Sequence, residues 1–376
     1  MFQVNHILAI CRLSRRTVIE KMNISLILTK QCNLRCKYCF ETHENVCMTE
    51  ETALRAIDMA VNDGGKFVGV SFFGGEPLLC KPLIYRCLEY STRFPYVNFS
   101  WNMTTNGLLL DEEFLEFAIR EKIEIAMSHD GLMSRVNRLY PGGKDCLDQL
   151  DEKLRLLLKY RPDAFIMATV TPATSGMAFD SLKHLIDLGV RRFNLAIDAR
   201  PCAGWDEDSM ELLSDQLGML GDLILEKFRG GEDIYFNSFE EKILAVLKDR
   251  PCHVCKLGKR KPYIDWDGKI YPCIQFGGVP DYQIGSVADG IDEEKRNVIY
   301  KSSLSKPSFC EGCAMQKRCV NDCACLNYQQ CGDTAEVSGE QCRYQQILIT
   351  RADEMARKML EADERRFSER YLKVKK

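Results

Sequence analysis

Six short apolar runs, at residues 24–29, 67–73, 98–103, 124–128, 165–170 and 192–197, alternate with five stretches of helical periodicity at 50–62, 83–93, 112–121, 147–160 and 180–188. Strands joined through helices lie parallel, because each helix carries the chain back to the end where the previous strand began. Right-handed crossovers dominate such sheets, so six strand–helix units curl into an α/β fold, an open or partial (β/α)6 barrel of the TIM type. Chemistry is then expected in the loops at the carboxyl ends of the strands. The chain has 376 residues, more than one such unit needs, so a second, smaller domain is expected after the barrel.

Charge excludes some functions. With 51 basic and 54 acidic residues the net charge is −3, and no strong field marks nucleic acid or a membrane surface as partner. No apolar run approaches the ~18 residues of a membrane helix. Residues 7–10 are too short for a secretory core, and no cleavable apolar segment follows Ser14-Arg15-Arg16. A cytoplasmic location is therefore expected. In that reducing setting nineteen cysteines, several closely spaced, read as metal ligands or redox groups rather than disulfides.

The first cluster, Cys32-Asn33-Leu34-Arg35-Cys36-Lys37-Tyr38-Cys39, follows the first expected strand. Three thiolates on a tight loop can hold three irons of a cubane and leave the fourth iron open. Phe72-Phe73-Gly74-Gly75-Glu76-Pro77 follows the second strand, and its paired glycines let backbone approach a ligand where a Cβ would obstruct. Zinc is the competing reading of the first cluster, though zinc sites ordinarily show two close cysteine pairs rather than a trio.

These two motifs resemble those of the radical S-adenosylmethionine superfamily, with Tyr38 as the aromatic residue before the last cysteine. The resemblance implies a [4Fe-4S] cluster on Cys32, Cys36 and Cys39 whose open iron chelates the methionine moiety. It also implies reductive cleavage to methionine and a 5′-deoxyadenosyl radical, and a cofactor-binding role for Gly74, Gly75, Glu76 and Pro77. Ser128, at the end of the fourth strand, and Arg138, further along that loop, are its candidates for the cosubstrate carboxylate. Thr104-Thr105-Asn106-Gly107 ends the third strand. His129 reads as a loop histidine, and Asp198, after the sixth strand, as a structural carboxylate more readily than a base.

A second cysteine series begins at Cys255. Twelve residues separate it from Gly268 and four more precede Cys273; Cys310, Cys313, Cys319 and Cys323 follow at gaps of two, five and three, and Cys342 ends the series. This spacing resembles the SPASM extension of radical enzymes that modify peptides and proteins. That implies two auxiliary [4Fe-4S] clusters, three clusters in all: a distal one on Cys310, Cys313, Cys319 and Cys342, and a proximal one on Cys255, Cys273 and Cys323. Cys252 is placed to complete the proximal set, although zinc accepts the same thiolates and spacing alone does not separate the two. Asp267-Gly268 signals a hairpin whose two turn residues both take positive φ. Cys11, Cys47, Cys80, Cys87, Cys146 and Cys202 read as bystanders, while Cys325 and Cys331 lie close enough to serve as alternative ligands.

The expected organisation is an extension at 1–22, the barrel at 23–205, bridging helices at 206–250, the cluster domain at 251–345 and a C-terminal segment at 346–376 holding a solvated amphipathic helix at about 350–372. The resemblance implies a maturase that oxidises or crosslinks a peptide side chain or backbone carbon, fed by a reductant such as a flavodoxin or ferredoxin. Formylglycine formation is the alternative. Sulfatase-maturing members carry an aspartate base directly after the second proximal cysteine, whereas Ile274 follows Cys273 here. Only 31 residues precede Cys32, fewer than a leader-binding winged helix needs, so leader recognition, if the reaction uses it, is expected to need a discrete leader-binding protein or contacts made by the barrel and cluster domain. A non-catalytic iron–sulfur carrier and a small-molecule enzyme are the readings from other classes.

Overall fold

The computed structural model describes residues 22–251, 255–259, 261–304, 307–321 and 323–372. The expected extension up to residue 21, Cys11 and Cys252 lie outside them.

Six parallel strands form the main sheet in simple order: β1 (Met22–Ile27), β2 (Phe67–Phe73), β3 (Asn98–Thr105), β4 (Ile123–Ser128), β5 (Phe165–Val170) and β6 (Arg192–Ile197). Between them run α1 (Glu50–Gly64), α2 (Lys81–Ser91), α3 (Glu112–Arg120), the short α4 (Ser134–Asn137), α5 (Leu147–Tyr160) and α6 (Ala178–Asp187). Local chemistry sets the helix starts. Thr49 and Asp111 accept hydrogen bonds from the backbone N–H groups of Thr52 and Phe114, and acidic residues fill both first turns. Apolar residues at helical spacing, such as Leu150, Leu154 and Leu157 on α5, are buried in the core.

Beyond the sixth strand come α7 (Glu207–Arg229), β7 (Tyr235–Phe236) beside β6, and α8 (Asn237–Leu247). The cysteine-rich region adds β8 (Tyr263–Ile264), β9 (Lys269–Tyr271), β10 (Gly285–Ser286), β11 (Gly290–Ile291), α9 (Glu293–Ser302) and α10 (Ala324–Cys331). It is not a separate layer, because β8 pairs parallel with β1 and makes one eleven-stranded sheet whose edges are β11 and β7.

Two expectations change. The 267–268 turn is not a two-residue turn: only Gly268 has positive φ, at 84°, and the Gly268 N–H reaches Asp265 O at 2.9 Å. The loop is longer, with glycine in its left-handed position. The closing helix is two helices, α11 (Gly339–Ala362) and α12 (Glu364–Tyr371), and it is not chiefly solvated. Ile347, Leu348, Met355 and Met359 of α11 are buried in the common core. Among the described residues no helix is long and apolar enough to cross a membrane.

Candidate active site

Past β1 the chain keeps contact with its neighbours while leaving the ladder: Leu28 N–H donates to Phe73 O at 3.0 Å and Met48 N–H to Leu28 O at 2.8 Å. These bonds clamp both ends of the loop that carries Cys32, Cys36 and Cys39. The three thiols sit partly buried and lie within electrostatic reach of one another. Burial pushes Cys32 up to about 12, with Glu76 and the other two cysteines adding to the rise. Burial likewise pushes Cys36 up to about 11, against the opposing pull of Arg138. Sulfurs so placed become thiolates only against a bound cation, which suits a soft metal centre. Leu34 N–H donates to Cys32 Sγ at 3.4 Å, and Asn106 Nδ2, 3.8 Å from the same sulfur, donates to Asn33 Oδ1 at 2.7 Å.

The Gly74-Gly75-Glu76-Pro77 loop presses on this segment. Gly75 N–H donates to Thr29 O and Glu76 N–H to Gln31 O, both at 2.8 Å. A Cβ on Gly74 would stand 2.3 Å from Thr29 O, and one on Gly75 2.1 Å from Gln31 O. The glycines are therefore required first by the chain's own backbone. Gly75→Ala is expected to cost about 3 kcal/mol, the upper range for overpacking, because two backbones cannot yield as side chains do; denaturant unfolding measures it. Glu76 is fully buried, and its carboxylate accepts from Leu78 N (2.9 Å), Thr105 Oγ1 (2.7 Å) and Asn106 N (2.8 Å). It pins the ends of β2 and β3 together, and Pro77 starts a short 3-10 turn through Cys80.

Tyr38 and Arg138 meet on Asp130. Tyr38 Oη donates to Asp130 Oδ2 at 2.7 Å, Arg138 Nη2 to Oδ1 at 3.0 Å, and Thr169 N–H to Oδ1 at 2.8 Å. The guanidinium lies 5.5 Å from the Tyr38 ring centroid, and its buried Nε has no hydrogen-bond partner. Arg138 is thus already ion-paired, with one donor left over beside the thiols. Ser128 ends β4 and is partly exposed. His129 is buried, accepting from Gly131 N–H at Nδ1 and contacting Asp151 at Nε2, both at 3.0 Å, and burial lowers its pKa. It is a structural histidine. Asp198 is ion-paired to Arg200 at 2.7 Å, so it too is structural.

One group of side chains was not visible in the pattern. Glu41, two residues past Cys39, lies within electrostatic reach of Lys30 and Asp265. Burial pushes Glu41 up to about 7, with Asp265 and Glu44 raising it further and Lys30 opposing. Lys30 Nζ is 3.8 Å from Asp265 Oδ2, and Tyr263 Oη donates to Asp265 Oδ1 at 3.1 Å. No local signal could have found this set, since Tyr263 and Asp265 lie more than 200 residues from Lys30 and Glu41 in the chain.

In the cysteine-rich region Cys310 and Cys342 each lie within electrostatic reach of Cys319, and Cys313 is exposed nearby in sequence. Cys273, Cys323 and Cys325 form a second group: Cys323 and Cys325 sulfurs are 3.5 Å apart, and a hydrogen bond from the Cys325 thiol lowers the Cys273 pKa. Cys255 is partly buried against the core. Among the described residues no three metal-binding side chains converge on one ion position.

Residues 26–172 match the family model of the Radical SAM superfamily. That stretch of the chain is similar to the superfamily. Among relatives of this chain is a cysteine-type anaerobic sulfatase-maturating enzyme of Clostridium perfringens, 25% identical over 338 residues, 83% of this chain and 90% of the relative. The fold is similar to that of anSMEcpe with bound AdoMet, with a TM-score of 0.79 at 19% identity over 92% of this chain and 96% of the other. It is also similar to Streptococcus suis SuiB bound to S-adenosylmethionine, with a TM-score of 0.59 at 19% identity over 86% and 75% of the two chains. The cysteine-rich region is included in the first of these likenesses, since so much of the chain is covered.

Proposed function

We propose that this radical SAM protein is an enzyme that cleaves S-adenosylmethionine reductively and oxidises a residue of a peptide or protein. The observation that carries the reading is the buried three-thiol loop buttressed by Gly75 and Glu76, with the spare Arg138 Nε beside it. Cys32, Cys36 and Cys39 would hold a [4Fe-4S] cluster, which when bound supplies the electron that breaks the sulfonium and yields the hydrogen-abstracting 5′-deoxyadenosyl radical. Asp130 holds Tyr38 and Arg138 in place. Glu76 holds the loops after β2 and β3 at a fixed separation, so that Gly74 and Gly75 present backbone to the cosubstrate. Ser128, at the same end of the sheet, is the remaining candidate for its carboxylate. The six strands read best as a partial (β/α)6 barrel around the substrate.

Within this reading, the likeness to sulfatase-maturating enzymes favours oxidation of one side chain to an aldehyde over thioether or carbon–carbon crosslinking. Ile274 stands where an aspartate base is expected, so a base for this chemistry would come from elsewhere, and Glu41 and Asp265 are the carboxylates at hand. Mass spectrometry of a peptide turned over anaerobically separates the products. A crosslink loses two hydrogens and keeps every heavy atom, whereas aldehyde formation from cysteine also replaces sulfur by oxygen. No 5′-deoxyadenosine from fully loaded protein with any reductant would instead indicate an electron carrier.

The distal auxiliary cluster is assigned to Cys310, Cys313, Cys319 and Cys342, and the proximal one to Cys255, Cys273 and Cys323. Its fourth thiolate is Cys252 by sequence order, but Cys325 is the thiol packed against Cys273 and Cys323. If Cys325 is the ligand, Cys325→Ala lowers bound iron and alters the cluster's electron paramagnetic resonance while Cys252→Ala leaves both as in the parent. The opposite pattern assigns Cys252.

A further inference from the structure

We propose that Cys47 and Cys80 are a redox-modification site, a dithiol that closes to a disulfide beside the loop carrying Cys32. Their sulfurs are 4.0 Å apart. A disulfide needs about 2 Å, so closure takes a side-chain rotation rather than refolding. Both residues are anchored on the same piece of backbone: Cys47 bridges antiparallel to Thr29, and Cys80 Sγ lies 3.7 Å from Leu28 O. Sequence alone made both bystanders, for they are separated by all of α1 and β2.

The two thiols differ in a way that orders the reaction. Cys47 is exposed and receives a hydrogen bond from Gln31 Nε2 at 3.3 Å, whereas Cys80 is partly buried. Burial pushes Cys80 up to about 12, and the neighbouring Cys47 raises it further. Cys47 therefore meets an oxidant first, and Cys80 resolves. With a peroxide, the Cys47 sulfur attacks the O–O bond to give a sulfenic acid and one water. Cys80 sulfur then displaces the hydroxyl as a second water. Two thiols are oxidised by two electrons and the peroxide is reduced by two. A dithiol reductant reverses the step by exchange.

The bond would join the two ends that flank Thr29–Gln31, whose carbonyls hold Gly75 and Glu76. Oxidation would thus fasten the frame of the cofactor loop without consuming Cys32, Cys36 or Cys39. The dithiol chemistry does not depend on which substrate the enzyme takes; the activity and absorbance controls rest on the proposed function, whereas the crosslinked peptide is read independently of it.

The test treats anaerobically purified protein with one equivalent of hydrogen peroxide, alkylates free thiols under denaturing conditions and maps the digest by mass spectrometry. The expected product is a Cys47 peptide joined to a Cys80 peptide, formed before half the iron–sulfur absorbance is lost and reverted by dithiothreitol. In Cys80→Ser, Cys47 should be trapped by dimedone as sulfenic acid instead. Both Cys47→Ser and Cys80→Ser should release 5′-deoxyadenosine like the parent when reduced. Recovery of Cys47 and Cys80 as alkylated thiols after the absorbance has bleached, or of Cys47 joined to Cys32, Cys36 or Cys39, overturns the proposal.

Discussion

Changing Cys36 to alanine is expected to reduce 5′-deoxyadenosine release to the background of reductant without enzyme, while roughly two thirds of the iron stays bound, since under the proposed three-cluster assignment two cubanes would keep their ligands. The same result is expected for Cys32 and Cys39. On the proposed assignment each thiol would hold a different iron of one cluster, so the loss of any one would remove the electron donor rather than weaken it. Iron analysis beside product chromatography distinguishes this from unfolding. A variant that lost all its iron together with activity would place Cys36 in the fold rather than in the chemistry.

Asp130→Ala is expected to be the most destabilising single change near the site, by about 3–5 kcal/mol, because it leaves a buried guanidinium without its counter-charge. Asp130 is completely buried and Arg138 is only 5% exposed, so water cannot substitute. The carboxylate also receives Tyr38 Oη and Thr169 N–H, which would lose an acceptor together. Denaturant unfolding of iron-loaded protein measures the cost. Faster iron loss from the Cys32–Cys39 loop should accompany it, since Tyr38 sits between two of the thiols. A change below about 1 kcal/mol, within the range of exposed pairs, would show that the pair is solvated in solution.

Much of the main sheet was legible because its signals are local. β2, β5, β6 and α5 have the bounds that apolar runs and helical periodicity mark in the sequence. The end of β1 differs, since Leu28 and Thr29 remain buried and bonded while turning out of the ladder. The helix α11 starts well before the expected position. Its signal was Ser338, whose hydroxyl caps the helix by accepting from Gln341 N–H, and not the weak periodicity that follows. At the site, the first cysteine spacing marked thiols that lie within electrostatic reach of one another, and the Gly-Gly pair marked the neighbouring loop. What spacing could not give was company: Asp130 for Arg138, Cys80 for Cys47, Cys325 for Cys273, and Asp265 for Glu41. Each is a contact between segments that only tertiary folding brings together. The Asp267-Gly268 turn shows the converse, a correct local signal whose geometry was reset by the strands it joins.

The parallel pairing of Ser25 and Leu26 with Tyr263 and Ile264 has a practical consequence. Excising everything after Leu247 would bare the rim of β1, with unpaired amides along an apolar ribbon, and such rims seed aggregation. The front half cannot be swapped between relatives as a free-standing cassette unless the graft brings its own cover for that rim.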